Sequence, residues 1–89
     1  MPPDCPKGNA CYYQPAADGF TLNSVYYKYG VYNFTDVHGM WLVCNNQTGG
    51  AKVTLHHGYN ATGKLAGELP QGACSLFEMG PINSTKLRP

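Results

Sequence analysis

Charge is what this sequence has least of. Six Lys and Arg and five Asp and Glu stand among 89 residues, leaving a formal net charge of +1. No basic stripe is present to neutralise phosphates, so nucleic acid is not expected as a partner. Long apolar runs are missing as well. None approaches the roughly 20 residues that cross a bilayer as a helix, so membrane insertion is not expected. No stretch of twelve residues repeats apolar side chains at i, i+3 and i+4, which argues against amphipathic helices. Met1 leads straight into Pro2-Pro3-Asp4 without an apolar segment, and reads as an added start on an already mature chain.

Groups that carry chemistry are also scarce. The three serines, Ser24, Ser75 and Ser84, lack a G-x-S-x-G elbow. His56 and His57 are neighbours, which on a strand point to opposite faces and cannot share a metal. His38 lies in the turn Asp36-Val37-His38-Gly39. The acids Asp4, Asp18, Asp36, Glu68 and Glu78 are scattered, and nothing nominates a catalytic pair among them. The sequence therefore reads as a binding protein, with no enzyme activity, cofactor or metal expected.

What the chain does have is punctuation. Eleven glycines and seven prolines separate short runs rich in β-branched and aromatic residues. These runs are Ala10–Gln14, Phe20–Tyr29, Trp41–Asn45, Ala51–His57, Ala73–Glu78 and Ile82–Leu87. Thr21, Ser24, Lys52, Thr54 and Ser84 interrupt apolar neighbours, as half-buried strands require. An all-β sandwich or barrel is predicted. Trp41, beside Leu42 and Val43, is expected in its core.

A domain this small buries a marginal core and commonly needs covalent staples. Cys5, Cys11, Cys44 and Cys74 are an even number in a short chain, which favours two disulfides and a secreted, extracellular protein. Their spacing does not suit a zinc site built from C-x₂₋₄-C pairs. Three connectivities remain open on the residues alone.

Weak internal repetition is also visible. Tyr12, Ala17 and Gly19 recur 44 residues later as His56, Ala61 and Gly63. A single domain of two units is expected, unit one over about 10–50 and unit two over about 51–89.

The opening Cys5-Pro6-Lys7-Gly8-Asn9-Ala10-Cys11-Tyr12-Tyr13 resembles the C-P-x-G-x-x-C-x-Y start of the I36 family of peptidase inhibitors, small secreted proteins known from Streptomyces and other actinobacteria. Val31-Tyr32-Asn33-Phe34 and Val43–Ala51 look like further segments of such proteins. The resemblance implies a βγ-crystallin-like pair of Greek-key motifs forming a small sandwich. It also implies a local Cys5–Cys11 bridge, which leaves Cys44 to pair with Cys74. Ala17 and Ala61 stand where a crystallin motif expects its second aromatic, and His56 replaces the first in unit two. Many crystallin-like domains hold calcium through acidic and hydroxyl residues. Here Ser84 and Thr85 keep the hydroxyl pair, but Gly80 and Pro81 occupy the acid positions, and calcium is not expected.

Four N-x-[ST] sequons begin at Asn33, Asn46, Asn60 and Asn83. They mark either glycosylated loops or turn residues whose side chains bond local backbone, and the family resemblance favours the second. Tyr26, Tyr27, Tyr29 and Tyr32 crowd into seven residues around Lys28 and Gly30. On a strand Tyr26 and Lys28 share one face while Tyr27 and Tyr29 share the other. Both faces of so thin a domain cannot be core, so one tyrosine set is expected at the surface as a partner-binding site. Tyrosine-rich surfaces suit protein partners and sugar stacking alike. A secreted peptidase is the partner the resemblance implies. A polysaccharide of the cell wall, or a role as adaptor in a secreted assembly, is the alternative. Gly58–Gly63 is a second candidate contact loop.

Overall fold

The computed structural model describes residues 1–89 and contains no α-helix. Eight strands run β1 (Asn9–Ala16), β2 (Gly19–Tyr26), β3 (Gly30–Asn33), β4 (Met40–Asn46), β5 (Lys52–His56), β6 (Leu65–Leu69), β7 (Cys74–Glu78) and β8 (Ser84–Arg88). They form two four-stranded antiparallel sheets. Sheet one has the order β2-β1-β4-β7 and sheet two the order β3-β8-β5-β6. Each half of the chain thus keeps three strands together and sends its third strand to the edge of the other sheet.

Alternation along the strands decides which side chains meet inside. Ala10, Tyr12, Trp41 and Val43 of sheet one face Val53, Leu55, Leu69 and Leu87 of sheet two, with Phe34, Met79 and Ile82 filling the ends. Trp41 is buried as expected, and its indole N–H donates to His38 O (2.8 Å). The two sheets are also tied by a polar contact. The Tyr12 hydroxyl lies 2.7 Å from Thr85 Oγ1, which itself donates to Thr54 O at 2.8 Å.

Aromatic contacts close both open corners of the sandwich. At one corner the rings of Tyr26 (β2) and Tyr32 (β3) stack 3.9 Å apart, 11° from parallel. At the other, the ring of Phe77 on β7 lies so close to Gly67 on β6 that any Cβ at Gly67 would collide with it. Gly67 is required there for close approach, not for an unusual φ.

The disulfides are Cys5–Cys11 and Cys44–Cys74, and no cysteine is free. In a chain-entropy account they close loops of about 7 and 31 residues and stabilise by roughly 2.4 and 3.7 kcal/mol. All four lie on the outer face of sheet one, where Val25, Cys11, Cys44 and Cys74 stand side by side. Leu22, Tyr13, Leu42 and Leu76 form the next row. The outer face of sheet two is polar instead. Lys52 stands opposite Arg88, and Lys86, Thr54 and Glu68 run across it, with Glu68 3.1 Å from Arg88 and 3.9 Å from Lys52.

The two halves match one residue out of phase with the 44-residue spacing in the sequence. The β1–β2 hairpin shifts register after Tyr12 and the β5–β6 hairpin shifts after Leu55. Leu55, a core residue, is therefore the counterpart of Tyr12. His56 follows the shift, half-buried, with its Nε2 2.8 Å from Thr54 Oγ1.

Candidate functional site

The four clustered tyrosines do not alternate along one strand, because β2 stops at Tyr26 and β3 starts at Gly30. Tyr27, Lys28 and Tyr29 form the connection that carries the chain from sheet one to sheet two. Tyr26 and Tyr32 flank it, half-buried, and Tyr26 meets the buried Tyr12 ring edge-on at 5.5 Å. This pair belongs to the wall of the core. Tyr27 and Tyr29 are 70% and 55% exposed, the two most exposed aromatic side chains of the protein.

Two contacts brace the connection from below, and two more anchor the disulfide loop beneath it. The Tyr32 hydroxyl donates to Lys28 O at 2.7 Å, fixing the middle of the turn. Tyr27 leans on Gly8, where a Cβ would come within 3.2 Å of the ring. Gly8 has φ +95°, a conformation that favours glycine, and its N–H donates to Asn46 O at 2.7 Å. The Asn46 side chain returns a bond to Cys5 O at 2.9 Å. The Cys5–Cys11 staple, through Gly8, thus supports one wall of the tyrosine loop.

Between these pieces opens a cleft of ≈ 290 Å³ lined by Gly8, Tyr27, Lys28, Tyr29, Gln47 and Thr48. That is at the small end for a ligand site and fits one ring-sized group. Gln47 is buried; its amide donates to Asn45 Oδ1 (3.0 Å) and Lys52 O (3.3 Å), while its Oε1 accepts no hydrogen bond. Lys28 is exposed and takes part in neither ion pair of the protein. The cleft therefore offers two phenol faces, an ammonium, a hydroxyl and an amide wall. These groups hold a ligand by stacking and hydrogen bonding.

Other residues singled out in the sequence have structural partners. Ser84 Oγ donates to Gly58 O and accepts from Ala61 N–H, so both hydroxyls of the Ser84-Thr85 pair are engaged inside the fold. Among the sequons, Asn33 donates to Asn60 Oδ1, Asn46 to Cys5 O and Asn83 to His57 O. Those three amides are occupied as turn and cross-strand bonds. The Gly58–Gly63 turn is held by the same groups. Asn60 and Ala61 sit at φ 60° and 58°, with their N–H groups on Asn33 Oδ1 (2.8 Å) and Ser84 Oγ (2.9 Å), leaving Tyr59 53% exposed at its tip.

Burial raises the Tyr12 phenol well above the usual tyrosine range. Tyr13, on the outer face of sheet one, is raised by burial and then by Asp4, whose carboxylate accepts its hydroxyl at 2.8 Å. His56 is lowered, by desolvation first and by Lys86 second. It lines a shallow hollow on the outer face of sheet two with Thr54, Glu68, Lys86 and Arg88.

Sequence reasoning passed over Asn45 and Gln47. Asn45 is fully buried where β4 turns into β5, donating to Ala51 O and Leu69 O and accepting from Gln47. The only sequence signal was three consecutive amides, Asn45-Asn46-Gln47, at the end of an apolar run, which reads as a turn. Comparison with protein-family models, with curated proteins and with solved structures finds no match for this chain, so the meaning of the site rests on its own geometry.

Proposed function

We propose that this protein is a secreted binding module that docks a protein partner, in the manner of a peptidase inhibitor, through the Tyr27–Tyr29 loop. The observation that carries the reading is the pairing of exposure with bracing. The two most exposed aromatic rings sit on a turn whose backbone is fixed by Tyr32 and whose flank rests on a disulfide loop. A partner can cover such rings with little ordering cost, because the loop is held before binding. Two disulfides support an oxidising, extracellular setting. The exchange of third strands between the two sheets supports a βγ-crystallin-like pair of Greek keys.

The test is Tyr27→Ala with Tyr29→Ala, assayed against a panel of secreted metallo- and serine peptidases. Inhibition by wild type that disappears in the variant, at an unchanged melting temperature, supports the reading. Inhibition that survives both substitutions removes the loop from the interface.

A second reading has one observation in its favour. The cleft joins the two exposed phenol faces to the Lys28 ammonium and the Thr48 hydroxyl. The ammonium disfavours a cationic ligand, and phenol faces flanked by a hydroxyl suit stacking and hydrogen bonding to a hydroxyl-rich ring such as a sugar. Retention on chitin or peptidoglycan without inhibition of any peptidase would select this alternative.

A further inference from the structure

The four cysteines form one continuous sulfur row, and only one end of it meets solvent. Cys5, Cys11 and Cys44 are 5%, 0% and 0% exposed and pack together with Tyr13, whereas Cys74 is exposed on the edge strand β7. Cys11 and Cys44 are not bonded to each other, yet they are register partners on the adjoining strands β1 and β4. Asn45 N–H donates to Ala73 O and Asn45 O accepts from Gly72 N–H, so the backbone of Asn45 points to β7 and that of Cys44 to β1. Cys11 and Cys44 thus form a hydrogen-bonded antiparallel pair, with a Cα separation of about 5.5 Å. That separation lies inside the roughly 4.4–6.8 Å that a disulfide spans.

We infer that this row is a disulfide relay, through which a thiol attacking Cys74 opens the buried Cys5–Cys11 loop that braces Tyr27. In the first step an external thiolate attacks Cys74 Sγ. It forms a mixed disulfide there, and the Cys44 thiolate leaves. In the second step that thiolate attacks Cys11 Sγ, the Cys11–Cys44 bond forms, and Cys5 leaves as a thiolate that takes a proton from water. Two disulfides enter with one thiol, and two disulfides and one thiol result, so no further oxidant or reductant is needed. Access selects the first sulfur and proximity the second. The consequence reaches the tyrosine loop, because Gly8, which supports Tyr27, lies within the ring that Cys5 closes. None of these steps depends on what the tyrosines bind.

The folded protein is exposed to equimolar glutathione at pH 8, quenched with N-ethylmaleimide and mapped as non-reduced peptides. The expected product carries a Cys11–Cys44 bond, glutathione on Cys74 and maleimide on Cys5. Trypsin in a parallel sample should cut after Lys7, an exposed residue inside the ring, at least tenfold faster than before thiol. A product with maleimide on Cys44 and an intact Cys5–Cys11 bond overturns the relay. The variant Cys44→Ser with Cys74→Ser removes the point of attack. Its cleavage after Lys7 should not respond to glutathione, and a response as large as that of wild type would show direct attack on Cys5–Cys11. If that variant does not fold, the peptide map of wild type decides alone.

Discussion

Tyrosine does two opposite things within one short stretch of this molecule. Tyr26 and Tyr32 stack on each other and Tyr26 meets the buried Tyr12 edge-on, while Tyr27 and Tyr29, one and three residues further along from Tyr26, stand in solvent. The inner pair fills a corner between two sheets, and the outer pair sits on the chain that crosses that corner. The contrast teaches that the two sets are mechanically one unit. The inner rings hold the backbone from which the outer rings project, and the Tyr32 hydroxyl on Lys28 O is the joint.

The inner side of this comparison breaks most severely in alkali. Tyr12 is neutral when folded, and burial holds its phenol above the ordinary value of 10.0. The unfolded chain ionises first, so the stability from this shift is fully present below pH 10 and drains away as pH rises towards the folded value. The loss from Tyr12 alone is about 1.4 kcal/mol per pH unit. Urea melts at pH 8 to 12 should show that slope, with Tyr13 adding in the same sense, and Tyr12→Phe should flatten it. A slope unchanged in Tyr12→Phe would mean that the ring is not sealed from water.

Next in size are truncations of the stacked pair. Tyr26→Ala or Tyr32→Ala removes a half-buried ring from the corner and should cost about 2 kcal/mol, below the range for fully buried aromatics. In a domain of this size that lowers Tm by roughly 8–16 °C. Thermal unfolding followed by Trp41 fluorescence measures it directly. A drop as small as that for Tyr27→Ala would erase the distinction between inner and outer rings.

How far the sequence could carry this division is itself instructive. Alternating β-branched and aromatic residues located six strands to within a few residues, because each of those runs buries one face and needs the period of two. Two strands went unseen. β3 is only four residues long, and β6 reads Leu-Ala-Gly-Glu-Leu, whose Ala, Gly and Glu are poor strand formers in isolation. Tertiary contact overrides propensity there, since the Phe77 ring demands the bare backbone of Gly67. The pairing of Tyr27 with Tyr29 apart from Tyr26 was legible in the alternation of residues 26–29, but which set turns inward was not. Which rings turn inward depends on where β2 ends and on which sheet receives β3, and no local pattern encodes that crossing. The same holds for the 44-residue repeat, where a register shift beside Tyr12 and Leu55 moves the true correspondence by one residue.

The joint itself can be tested with a single oxygen. Tyr32→Phe keeps the stacked ring and removes the bond to Lys28 O, which should cost about 1 kcal/mol or less, since the carbonyl can turn to water. Its effect on binding should exceed its effect on stability, because the freed loop must be ordered when a partner docks. The discriminating measurement is hydrogen exchange at Lys28 and Tyr29 compared with exchange at Val43 in the core. Faster exchange confined to the loop sharpens the comparison, and a global increase would make Tyr32 only another core residue.

The smallest effect on stability belongs to the outer pair. Tyr27→Ala with Tyr29→Ala strips two rings that are mostly in water, and each change should stay within about 0.5 kcal/mol. For either change alone the melting temperature should therefore move by no more than roughly 2–4 °C, against the larger fall for either inner ring. Tyr27 is the more sensitive of the two, because its ring covers Gly8 and its loss uncovers the edge of the Cys5–Cys11 loop. Comparing Tyr27→Ala with Tyr29→Ala separately would reveal that asymmetry as faster tryptic cleavage after Lys7 in the first variant only. Equal cleavage in both would show that the staple holds its loop unaided, and that Tyr27 rests on Gly8 without supporting it in return.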